Sequence, residues 1–108
     1  MNKYFYIILC VLLLSVNAQA SDDYTITIKN HIFTPAELTV PADKKIKLII
    51  DNQDATPEEF ESYELNREKI IAGKSKISIF VGPLKAGRYP FFGEFNQATA
   101  QGVLIVKE

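Results

Sequence analysis

The sequence predicts an all-β fold, a Greek-key β-sandwich, and three observations carry that prediction. Apolar residues alternate with polar ones at period two in nearly every segment after residue 20. Gly, Pro, Asn and Asp residues punctuate those segments at short intervals, as turns between strands do. Roughly seven such short segments follow one another, the number a small Greek-key sandwich needs.

Taken in order, the chain begins with a secretory signal. Lys3 supplies the positive start, residues 4–14 an apolar stretch, and Ala18-Gln19-Ala20 the small residues of a cleavage site. The apolar stretch is too short for a comfortable transmembrane helix, and no later one is long enough. The reading is therefore a removable leader over residues 1–20 and a single domain over residues 21–108.

Within that domain Ile26 and Ile28 face one way, with Thr25, Thr27 and Lys29 facing the other. Residues 37–40 repeat the alternation, and Pro41-Ala42-Asp43 ends it with a turn. A strand over residues 45–50 runs to Asp51-Asn52. A loop follows over residues 53–58, and residues 59–64 form a further strand. Between Tyr63 and Ile71 one or two helical turns compete, because Leu65, Glu68 and Lys69 are fair helix formers. Gly73-Lys74 turns the chain into a strand over residues 75–81. Gly82-Pro83 and Ala86-Gly87 bracket a short loop before an aromatic strand over residues 88–92. Tyr89 and Phe91 share a face of that strand and belong to the core, and residues 102–107 close the domain.

Charge and cysteine content exclude several functions. Removal of Lys3 with the leader leaves 11 bases against 13 acids, so nothing here attracts nucleic acid. The only Cys, Cys10, and the only Met, Met1, both leave with the leader. The exported domain then has no disulfide, no thiolate and no thioether, although its compartment would permit disulfides. With one His, a hydrolytic triad would have to centre on His31, and no nucleophile motif accompanies it.

The residues also resemble a family. The stretch Phe33-Thr34-Pro35-Ala36-Glu37-Leu38-Thr39-Val40-Pro41-Ala42 resembles the opening of cupredoxins, the small copper sandwich proteins. Residues 52–58 resemble their following loop, residues 87–96 their ligand-bearing end, and residues 102–106 their closing strand. Pro57-Glu58-Glu59-Phe60-Glu61-Ser62 and Phe91-Phe92-Gly93-Glu94-Phe95 resemble more closely an exported, EfeO-type subgroup associated with iron permeases. The resemblance implies a cupredoxin-like fold, a Gram-negative periplasmic location and an iron-permease-type membrane transporter or another periplasmic protein as partner.

Departures from the copper pattern decide the chemistry. Glu58 stands where the resemblance places the first His ligand, Gly93 at the thiolate position and Asn96 at the second His. The axial position falls near Ala98 or Thr99. A blue-copper centre needs a Cys thiolate and two imidazoles, so type 1 copper is excluded.

Five carboxylates, Asp54, Glu58, Glu59, Glu61 and Glu64, precede the next base, Arg67. With Phe60 pointing inward, Glu58 shares its face while Glu59 and Glu61 point to the opposite one. The resemblance brings Glu94 to the same end, and His31 lies in a loop opening there. The candidate metal ligands are Glu58, Glu59, Glu61, Glu94 and His31. Such oxygen-rich donors suit Fe(III), Mn(II), Ca(II) or Mg(II) better than Cu(I), and Cu(II) through His31 is compatible with them.

The leading function is a periplasmic metal-binding protein serving iron or copper uptake. Two other readings stand beside it: an electron-transfer or ferroxidase component, and a metal-free adaptor in which the ancestral site has decayed. A run of acids is ordinarily a solvated face, and a lone loop His ordinarily a surface residue. Phe92 and Phe95 would form a docking patch if exposed beside the site.

Overall fold

The computed structural model describes residues 22–108, so the leader assigned to residues 1–20 lies outside the described residues. Alternating sequence becomes alternating burial. In β4 (Ile46–Asn52) Ile46, Leu48, Ile50 and Asn52 are buried and the residues between them are half-buried. The other strands are β1 (Asp22–Lys29), β2 (Ile32–Thr34), β3 (Glu37–Pro41), β5 (Glu58–Ser62), β6 (Arg67–Ile71), β7 (Ser75–Val81), β8 (Gly87–Gly93) and β9 (Gln101–Lys107). A 3-10 turn, Glu94–Asn96, links β8 to β9. No helix among the described residues is long and apolar enough to cross a membrane.

The strands form two sheets, ordered β2-β1-β4-β7 and β3-β9-β8-β5-β6. The chain crosses between sheets at β2–β3, β3–β4, β4–β5, β6–β7 and β7–β8. Those crossings make the pairs β1–β4 and β3–β9 parallel, whereas the other pairs are antiparallel. The predicted sandwich is therefore present, with Greek-key connections.

Two local expectations change. Residues 63–66 form a turn and the chain then extends as β6, so the competing helix at Tyr63–Ile71 is absent. Tertiary pairing overrides the modest helix propensity, because β6 lies along β5 from Ser62↔Arg67 to Glu58↔Ile71 and buries Ile71. The strand expected over residues 59–64 is β5, shifted back to start at Glu58.

Between the sheets lie Ile26, Ile28, Leu48, Ile50, Phe60, Phe91, Leu104 and Val106, with further apolar residues around them. Phe33 meets the rings of Phe60 and Phe91 edge-on at 6.1 and 5.2 Å, and Phe60 stacks on Phe91 at 5.0 Å. Tyr89 packs against this core from its half-buried position, as its shared face with Phe91 predicts. The aromatic trio links β2, β5 and β8, and so fixes the strand on which the acidic segment begins.

Buried Asn52 fixes the loop before that strand. Its amide donates to the carbonyls of Thr56, Ile71 and Ala72 at 2.9, 3.2 and 3.3 Å, and its Oδ1 accepts the Asp54 N–H at 3.1 Å. Ser62, at the far end of β5, donates its hydroxyl to the Pro90 carbonyl at 2.6 Å, tying β5 to β8.

Gly102 faces Phe91 across β8–β9, and a Cβ there would stand 2.4 Å from the Phe91 ring. The ring is held by Phe33 and Phe60 and cannot swing aside freely. Gly102→Ala therefore lowers stability by about 1–3 kcal/mol, the usual cost of overpacking a core, and moves the urea midpoint down accordingly.

Candidate metal centre

The period-two alternation of β5 divides its acids between two environments. Glu58, Phe60 and Ser62 point between the sheets, and Glu59 and Glu61 point outward. Glu58 is 1% exposed. Burying a carboxyl without partners costs several kcal/mol, so its contacts account for its presence there. Oε1 accepts the backbone N–H of Glu59 at 3.0 Å and of Phe95 at 2.9 Å. Oε2 accepts the side-chain amide of Asn96 at 2.7 Å. No buried side-chain polar atom among the described residues lacks a partner.

Positions 58, 93 and 96, the three that the resemblance marks as ligand positions, do converge. They converge on each other. The Glu58 carboxyl bonds Asn96 directly, and a Cβ at Gly93 would stand 2.7 Å from Glu58 Cδ, 2.8 Å from Oε2 and 2.6 Å from Ala100 Cβ. The carboxyl thus fills the space into which a side chain at 93 would project. This donor set does not fit copper of the blue type: it offers no sulfur and no imidazole, and its oxygens already hold N–H groups.

The outward-facing acids gather elsewhere. Glu59, Glu61 and Glu68 can each present a carboxylate oxygen within 4.8 Å of the others. Glu61 pairs with Glu68 across β5–β6, and the β5–β8 register, Phe60↔Gly93, continues to set Glu94 beside Glu59. Glu59 and Glu61 are half-buried, as is Glu94, whose Oε2 accepts a hydrogen bond from Gln97 at 3.1 Å. Partial burial raises the pKa of Glu59, and the charges of Glu68, Glu94 and Glu58 raise it further. Glu61 is raised by partial burial, then by Glu68, Glu94 and Glu59 and by a hydrogen bond shared with Glu94. The charges that raise these two groups are all carboxylates. Beside them Tyr63 rests on Phe92 at 5.6 Å, its phenol pushed up chiefly by the charge of Glu61. Phe92 is half-buried in this contact, while Phe95 is 49% exposed.

His31 has a different partner. Asn30 and His31 form the two-residue turn between β1 and β2, both with positive φ (55° and 59°). Asp54 clamps that turn: Oδ1 accepts the Asn30 N–H at 2.8 Å and Oδ2 the His31 N–H at 3.0 Å. His31 Nδ1 also lies 3.5 Å from Asp54 Oδ2. The His31 N–H is the main cause that lowers the Asp54 pKa, ahead of the Asn30 N–H and the charges of His31 and Lys74, against some desolvation.

The five candidate ligands thus occupy three places. Glu58 is inside the sandwich, Glu59, Glu61 and Glu94 are on its outer face, and His31 stands with Asp54. Glu68, which the sequence reading did not select, joins the outer group through its register with Glu61. Only recognition of β6 as a strand paired to β5 reveals it.

These shifts set opposite pH responses. Glu59 and Glu61 titrate higher in the fold than their ordinary 4.5, so the stability they contribute is full below that value and is lost as pH rises through their folded values. Glu59→Gln with Glu61→Gln therefore melts above the parent at neutral pH, and the gap closes below pH 4.5. Asp54 titrates below its ordinary 3.8, so its contribution is present above that value and is lost as pH falls through the folded one. Asp54→Asn therefore melts lower at neutral pH, and this gap closes in acid. Circular-dichroism melts over an acid-to-neutral pH series check both signs.

Comparison with known proteins agrees with this architecture. The cupredoxin-like domain family matches residues 4–106. An uncharacterized protein of Rickettsia prowazekii (strain Madrid E) is 42% identical over 119 residues, spanning 99% of this chain and 95% of that protein. Among solved structures, the metal binding domain of the Cu(I) exporting P-type ATPase CopA of Streptococcus pneumoniae D39, with Cu(I), superposes with a TM-score of 0.70 at 15% identity, covering 83% of this chain and 90% of that one. Auracyanin A, a "blue" copper protein of Chloroflexus aurantiacus, gives 0.69 at 14% identity, covering 82% and 100%. A purple cupredoxin of Nitrosopumilus maritimus gives 0.61 at 17%, covering 79% and 100%. The structural likenesses carry the fold alone, and the sequence match carries the family: this chain belongs to the cupredoxin-like domain family.

Proposed function

We propose that the protein is an exported metal-binding member of this family that carries a hard cation as cargo on its outer carboxylate face, in the service of metal uptake. One observation carries the reading: Glu59, Glu61 and Glu68 can bring three carboxylate oxygens within 4.8 Å, and the charges that raise Glu59 and Glu61 are carboxylates. A cation relieves that repulsion, and an all-oxygen donor set selects Fe(III), Mn(II), Ca(II) or Mg(II) over Cu(I). Copper is the metal named for the solved relatives. Here it would bind as Cu(II) through carboxylates. The signal-like residues 1–20 and the resemblance to iron-permease-associated proteins support a periplasmic location, iron as the cargo and an iron-permease-type transporter as its recipient.

A second reading has its own observation. Glu58, Asn96 and Phe95 satisfy one another at the end where copper relatives by resemblance carry their ion, and this favours a metal-free adaptor built on the same fold.

Calorimetric titration with Fe(III), Mn(II) and Cu(II) separates the two. The cargo reading expects one site that is lost in Glu59→Gln with Glu61→Gln. It also expects the melting point to climb with ion concentration, since only the folded state assembles the ligands; a hundredfold excess over Kd adds about 2.7 kcal/mol. Binding no tighter than that of scattered carboxylates, with melting identical in chelator and in excess ion, overturns the cargo reading, and a specific protein partner found alongside would support the adaptor.

A further inference from the structure

Glu58 points between the sheets, on the face of β5 opposite Glu59 and Glu61, yet its contacts reach the outer face through the backbone. Glu94, Phe95 and Asn96 form the 3-10 turn after β8, and the residue preceding it, Gly93, has no side chain with which to cap it. Glu58 supplies what is missing from another strand. Its two oxygens take the Phe95 N–H and the Asn96 amide, at 2.9 and 2.7 Å. The turn is further closed by Ala100 N–H to the Asn96 carbonyl at 2.8 Å and Gly93 N–H to the Ala100 carbonyl at 2.9 Å. Glu94 leads that turn, so its position beside Glu59 and Glu61 depends on how the turn is held.

We propose that Glu58 is a positioning residue: its buried carboxyl ties the Glu94–Asn96 turn to β5 and so sets where Glu94 stands on the outer carboxylate face. The consequence for cation affinity rests on the cargo reading above. The tie itself does not. The Phe95 N–H and the Asn96 amide meet the buried carboxyl while Glu94 stands beside Glu59, so the turn joins a polar contact inside the sandwich to a charge outside it.

The test uses Glu58→Ala, which removes both acceptors, and Glu58→Gln, whose carbonyl still accepts the Phe95 N–H while a reversed Asn96 amide meets its NH2 group. Amide exchange by NMR reads the tie. Exchange at Phe95 accelerates in Glu58→Ala, returns toward the parent rate in Glu58→Gln, and is unmoved in Glu59→Gln. Equal protection of Phe95 in the parent and in Glu58→Ala overturns the proposal. Should Glu58→Ala fail to fold, Glu58→Asp shortens the side chain by one methylene and withdraws its carboxyl from the turn, and faster exchange at Phe95 is again required.

Titration with Mn(II) reads the consequence. Glu58→Ala weakens binding on the order of tenfold, the usual effect of losing a group that orients a ligand. Adding Glu94→Gln to it changes little, because Glu94 is already misplaced. Additive losses in the double variant overturn the role assigned to Glu94. Absence of Mn(II) binding by the parent defeats the cargo reading, and the exchange measurement then decides the tie alone.

Discussion

A carboxyl group buried in a β-sandwich has to find hydrogen-bond donors there, and the end of this molecule is arranged around that requirement. Glu58 enters the interior because it lies two residues from Phe60, and Phe60 is held by Phe33 and Phe91. The donors it finds are backbone and amide groups of its own strand and of the turn after β8. No basic side chain is among these partners, so neutral dipoles account for its hydrogen bonding. Gly93 follows from the same requirement. Any larger residue there would press on the carboxyl and on Ala100.

On the opposite face of β5 the problem is reversed. Glu59 and Glu61 reach solvent but meet Glu68 from β6 and Glu94 from the turn, and none of these charges offsets another. A sheet face with like charges in register is held together against local repulsion by the core beneath it, and cross-strand repulsion of this kind works against stability. The fold retains this repulsion while elsewhere it uses an acid for stability: Asp54 clamps the Asn30-His31 turn and its charge is favoured there. The contrast separates an acid that supports the backbone from acids that repel one another.

Much of this arrangement was legible in the residues. Period two fixed the sandwich and, from Phe60, the division of Glu58 from Glu59 and Glu61. Residues 21–108 hold no Cys and a single His, and that alone removed blue copper from the domain. Long-range register was not legible. Glu68 joins Glu61 only because residues 67–71 extend along β5, and their helix-forming residues point the other way. His31 and Asp54 are far apart in sequence, and the two consecutive positive φ angles that make the turn arise at Asn30 and His31 without a glycine to announce them. The contact of Asn96 with Glu58 was hidden for the same reason: an Asn in a turn reads as a turn former until the facing strand is placed.

The aromatic core holds the end of the sandwich that carries Glu58. Phe33, Phe60 and Phe91 join both sheets just beneath Glu58, and Asn52 independently ties the β4–β5 loop to the end of β6. Strand order and register are therefore set before the turn at Glu94–Asn96 is considered. The Phe95 N–H and the Asn96 amide donate to the Glu58 carboxyl, and these hydrogen bonds link β5 to the turn after β8. The outward acids take no part in that link.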